Sequence, residues 1–188
     1  MRYVDPDGRI LVISSEDDKF INNVNIALDY LAKTPNGKII VEALKSDTKI
    51  YYIVQCYGTI NDSFIDNEIY WDPKATVYAN NGEYNSPAIC LFHELIHAYF
   101  TTQKGKKVLD TLLNQILSSQ GLTIQDIQSS DIQNLTEEIV TRFEQKAAKE
   151  LGEPLGRKSY NDIMRYSSYA IDVIVDNPLI YSKNEEKK

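Results

Sequence analysis

The chain holds two histidines, and they stand four residues apart: His93 and His97, with Glu94 directly after the first. On an α-helix, positions i and i+4 share a face, one turn apart. Two imidazoles placed in this way can both reach one Zn²⁺ at about 2.0–2.1 Å. Glu94 then lies beside such a cation rather than on it. There it can serve as general base toward a water that the cation polarises. The H-E-x-x-H pattern therefore points to metal-assisted hydrolysis, with His93 and His97 as metal ligands and Glu94 as a catalytic residue.

A catalytic zinc usually takes three protein ligands and keeps one position open. With no further histidine in the chain, the third ligand must be Asp, Glu or Cys. The stretch 131–151 reads as a long helix closed by Gly152. Its small and apolar positions, Val140, Thr141, Ala147, Ala148 and Leu151, share a face with Glu137 and Glu144. Glu138, Arg142, Gln145 and Lys149 fall on a polar face. A carboxylate that looks inward is costly to bury alone, so it calls for a metal or a cation. Glu137 is the favoured ligand, and Glu144 is expected to orient a ligand or to bind Arg157. Glu138 and Glu144 stay as alternative ligands. Cys90, three residues before His93 and on the same helical face, is a further candidate.

The motif needs a helix to carry it. Ser86 is a good N-cap and Pro87 a good first-turn residue. Cys90, Leu91, Phe92, Leu95, Ile96, Ala98 and Phe100 make this helix apolar almost all round, so it should be buried. Upstream, 9–13 reads as a short strand, 16–33 as a helix capped at Ser15, and Thr34-Pro35 as the start of another helix. Residues 49–57 are rich in β-formers and read as a strand. Residues 58–66 read as a polar loop, Glu68–Trp71 as a strand that could offer an edge to a substrate, and 76–78 as a third short strand. Gly105 reads as a break, 108–117 as an amphipathic helix, and 125–133 as a polar loop with a helical turn. Residues 157–166 are less regular, and 170–175 read as strand or helix. The pattern predicts a single α+β domain: a small, mostly antiparallel sheet packed on helices, with the metal between. The expected division is an N-terminal segment 1–14, the domain 15–180 and a disordered tail 181–188.

Composition narrows the function classes. The chain has 188 residues, enough for one domain with its own core. Its net charge is −7 and no basic stripe interrupts it, so nucleic acid is not an expected partner. No apolar run approaches the roughly 20 residues that span a bilayer. The first residues lack an apolar core of signal-peptide length, so Sec-type export is not expected. Cys56 and Cys90 make no disulfide framework and read as two buried thiols.

These residues resemble the effector-type (NleD-like) zinc metallopeptidases of bacteria. The match is carried by Ser86-Pro87-Ala88-Ile89, Leu91 and His93 to Tyr99. It continues through Glu137-Glu138 with Thr141, Glu144-Gln145, and Gly152, Pro154, Arg157 and Tyr160. The resemblance covers residues 49–165. It implies a zincin-like fold, endopeptidase action on a protein substrate, and Arg157 or Tyr160 as a donor to the oxyanion. Tyr3 to Arg9 resembles the end of an Rhs/YD-repeat shell. Together these imply a toxin or effector, delivered out of the producing bacterium by a specialised secretion route (otherwise cytoplasmic), with a cognate immunity or delivery protein. The rival expectation is a non-catalytic binding module with a structural or relic metal site, closed by a fourth ligand such as Cys90.

Overall fold

Two helices separate the first two strands, and this sets the sense of the sheet. The structure, a computed structural model, describes residues 11–56, 62–78, 84–154, 165–168 and 173. Strand β1 (Leu11–Ser14) leads to α1 (Asp18–Leu31), α2 (Pro35–Lys45) and β2 (Tyr51–Gln55). Asp17, not Ser15, caps α1, its side chain accepting from the Lys19 N–H at 2.9 Å; Ser15, two residues before Asp17, accepts from the Asp17 N–H at 3.0 Å. The Thr34 hydroxyl caps α2 on the Gly37 N–H at 3.0 Å, with Pro35 in the first turn where its missing N–H costs nothing. A two-helix crossover returns the chain to the same end of the sheet, so β1 and β2 run parallel.

β3 (Ser63–Ile65) and β4 (Glu68–Trp71) then form an antiparallel hairpin. Its turn is Asp66-Asn67, both at positive φ (49° and 70°), a conformation that Asp and Asn tolerate. β4 inserts between β2 and β3, parallel to β2, and the order is β1-β2-β4-β3. The sheet is therefore mostly parallel, not mostly antiparallel, because of the helical crossover. Glu68–Trp71 is an interior strand and offers no edge to a substrate; β1 and β3 form the sheet's two edges among the described residues. Residues 63–65, expected as loop, are paired because the turn after them closes the hairpin. β5 (Ala75–Tyr78) pairs antiparallel with β6 (Arg165–Ser168).

One sheet face carries Tyr51, Ile53, Ile69 and Trp71, all fully buried in a single core with the helices. Central in that core is α3 (Pro87–Thr101), which touches the sheet and every other α-helix described, in an α+β arrangement. The Trp71 indole N–H donates to the Pro87 carbonyl at 2.8 Å and seats the start of α3 on β4. α4 (Gln103–Ser119) follows after a break at Thr102, whose ψ is 157°. The break comes at Thr102 and not at Gly105, which lies inside the first turn of α4. A Cβ at position 105 would overlap the Tyr99 carbonyl, so the glycine permits close approach and does not interrupt the helix. A 3₁₀ turn (Ile124–Asp126) precedes α5 (Ser129–Leu151), which ends at Gly152 in the left-handed region, φ 76°. No helix among the described residues is long and apolar enough to cross a membrane. The segment 1–10, the tail 181–188 and most of 157–166 and 170–175 lie outside the described residues.

Candidate metal centre

α3 begins at Ser86, whose hydroxyl caps the Ile89 N–H, and the Val173 carbonyl accepts from the Ala88 N–H at 3.1 Å. From that fixed start, helical spacing puts His93 and His97 on one face. α5 passes this face in the opposite sense. It buries Ile139, Val140, Thr141, Glu144, Ala147 and Ala148, and the small alanines let it come close. Glu138 points outward, 43% exposed and 4.0 Å from Arg142.

The two helices bring three atoms together. His93 Nε2 and His97 Nε2 are 3.2 Å apart. Glu137 Oε2 lies 3.4 Å from the first and 3.3 Å from the second. That oxygen is buried and meets no donor in good hydrogen-bond geometry; it stands at ion-pair distance from both ring nitrogens. His93, His97 and Glu137 form the group that could hold a metal ion among the described residues. All three are recessed but reachable, with side chains 12–20% exposed. The ligand atoms come from two helices, so the site sits between α3 and α5 and not between sheet and helices.

His93 Nδ1 faces Glu144 Oε2 at 2.9 Å, and Glu144 is buried. A carboxylate there accepts a hydrogen bond from Nδ1–H and leaves Nε2 turned toward the centre, the arrangement that fixes the tautomer of a metal-binding histidine. Burial opposes the charged form of His93, but Glu137 and Glu144 outweigh it and raise its pKa to about 9. Burial likewise opposes ionisation of Glu137, yet the two imidazoles hold its carboxyl well below the usual range. A cation arriving at Nε2 must displace the Nε2 proton of the charged ring and leave Nδ1–H in place, since the ligand form is the neutral ring. Glu94 is buried next to the group without belonging to it. Cys90 is buried on α3 and does not join the three atoms. Arg157 and Tyr160 lie outside the described residues.

Sequence reasoning did not single out Glu153. This buried residue follows Gly152 and accepts from the Ser86 N–H (2.8 Å), the Ser86 hydroxyl (2.7 Å) and the Tyr30 hydroxyl (2.8 Å). The one signal was local: a glycine C′ followed by Glu and Pro154, where a charged turn residue ordinarily reads as solvent-exposed. Comparison with known proteins gives no match: no family model, curated protein or solved structure corresponds to this chain.

Proposed function

We propose that the chain is a zinc-dependent endopeptidase that hydrolyses a protein substrate, acting as a bacterial effector or toxin domain. One observation supports the metal above all others. A tetrahedral cation bound at about 2.0–2.1 Å separates its ligand atoms by about 3.3–3.4 Å. The His93, His97 and Glu137 atoms stand 3.2, 3.3 and 3.4 Å apart, so they match three corners of that tetrahedron. Among the described residues the donor set is His₂Glu, a set that zinc hydrolases use with a further position open to water or substrate.

In this reading His93, His97 and Glu137 hold the ion, and Glu144 keeps the His93 ring in place. Bound zinc would supply Lewis acidity, bringing the pKa of water toward about 7 and polarising the scissile carbonyl. Glu94 accepts the proton of the attacking water and returns it to the leaving amine. The burial of Glu94 shields this transfer from bulk solvent. The effector or toxin assignment, the delivery route and a cognate immunity protein rest on the resemblance in residues 49–165 and 3–9.

Glu94→Gln is the direct test. The variant should bind zinc as the parent does and lose cleavage, read as new protein N-termini in a proteome exposed to parent and variant. A variant that cleaves as well as the parent overturns the mechanism. A parent that binds zinc and produces no new N-termini supports the binding-module rival.

A further inference from the structure

We infer that Glu153 is a positioning residue for the metal centre: it locks the start of α3 to the end of α5, so that the two histidines and Glu137 meet at ligand spacing. This rests on the metal reading above.

As α3 runs forward through Ser86, His93 and His97, the chain of α5 runs back through Glu153, Glu144 and Glu137. Each of these carboxylates meets its counterpart on α3. The Glu137 contact completes the centre and the Glu144 contact supports it from His93 Nδ1, while Glu153 sets the axial register of the two helices. Its carboxylate takes three hydrogen bonds at 2.7–2.8 Å, two from Ser86 and one from Tyr30 on α1. Bonds to an ionised acceptor are about twice as strong as neutral ones, and the α3 N-terminus favours a negative charge. A second strap runs beside it, since Asn85 Nδ2 donates to the Pro154 carbonyl at 2.8 Å. The exit of Glu153 from α5 is itself fixed: Gly152 adopts the left-handed conformation and the Glu153 N–H bonds the Ala148 carbonyl at 2.8 Å.

Magnitudes favour register over plain capping. The Ser86 hydroxyl already caps the helix, so a buried carboxylate is not required for that task. Burial also raises the pKa of Glu153, so its placement carries a cost that a neutral cap would avoid. Metal ligation tolerates only about ±0.2 Å in bond length, whereas a slip of one residue moves a helix about 1.5 Å along its axis. A small loss of register is enough to open the triangle of ligand atoms.

The test uses the full chain with Glu153→Gln and the milder Tyr30→Phe. Zinc affinity is measured by chelator competition, and Co²⁺ substituted for zinc reports the coordination geometry by its visible absorption. Both are read at a temperature where far-ultraviolet circular dichroism shows each protein folded. Glu153→Gln should weaken zinc about tenfold and change the cobalt spectrum, and Tyr30→Phe should do so to a smaller extent. If both variants lose only thermal stability and keep the parent's affinity and spectrum, the positioning role is refuted. A parent that takes up neither ion refutes the metal reading together with this one.

Discussion

The identity of the third ligand can be settled by three alanines along α5: Glu137→Ala, Glu144→Ala and Glu138→Ala. Glu137 Oε2 stands 3.3–3.4 Å from both ring nitrogens. Structural zinc sites bind with about 10–16 kcal/mol over four ligands, so one ligand accounts for about 3 kcal/mol, or roughly a hundredfold in affinity. Glu144 meets His93 at Nδ1, on the side of the ring away from the ligand atoms, at 2.9 Å. Loss of such an outer partner costs about 10- to 100-fold, equivalent to about 1.4–2.7 kcal/mol. Glu138 is 43% exposed and 4.0 Å from Arg142, an open helix pair worth at most about 0.5 kcal/mol of stability and nothing to the metal. Each variant is stripped of metal and titrated with zinc against a chromophoric chelator. The expected order of loss is Glu137, then Glu144, then none for Glu138. In a His93→Ala background the Glu144 effect should vanish, because its route to the metal is that ring. If Glu138→Ala weakens zinc more than Glu137→Ala, or the Glu144 effect survives without His93, the geometry of the centre has been misread.

Two further outcomes follow from groups outside the centre. Asp62 is buried beside Cys56, Asp72 and Glu94, one of its oxygens has no partner, and burial pushes its pKa up to about 7. The native state then holds a proton that the unfolded chain, with a pKa of about 3.9, releases, so stability declines as pH rises from about 4 to 7, by on the order of 4 kcal/mol at most. Asp62→Asn should flatten this slope in denaturant titrations at pH 5 and pH 8; parallel curves for parent and variant would refute it. Gly105→Ala would stabilise an ordinary helix by about 1 kcal/mol. Here the added Cβ overlaps the Tyr99 carbonyl, so the sign should reverse and the melting temperature fall. A melting temperature at or above the parent's would show that α4 can move aside.

How far the molecule was legible depended on whether the signal was local. The motif helix could be read because its cap, Pro87 and its apolar surround all lie within one stretch. The inward stripe of α5 was readable for the same reason: Glu137 and Glu144 are seven apart, almost two full turns, and travel with Val140, Ala147 and Ala148. Gly105 reads as a break in sequence because glycine at a helix start and glycine at a break look alike without the facing carbonyl. β3 does not show in the sequence because three residues give no periodicity, and its one mark is the Asp66-Asn67 turn that follows. The parallel sense of the sheet was available in principle, since two consecutive helices between strands imply a crossover. The local signal at Glu153, a charged residue after Gly152, reads as solvent-exposed, because its partners Ser86 and Tyr30 are remote in sequence.

The centre therefore divides its information between two kinds of determinant. H-E-x-x-H puts the two imidazoles on one face by helical geometry, one turn apart. The third atom arrives only if α5 lies against α3 in one register. That register is set by small residues, which govern how near the helices come, and by Glu153 and Asn85, which govern how far along. Metal affinity is then a property of helix packing as much as of ligand identity. Any ion that binds the assembled group favours the docked pair over its separated form, because unfolded chain lacks the third contact. A core substitution such as Ala147→Val, far from the ring nitrogens in sequence, acts on the same distance as a substitution of Glu137 itself.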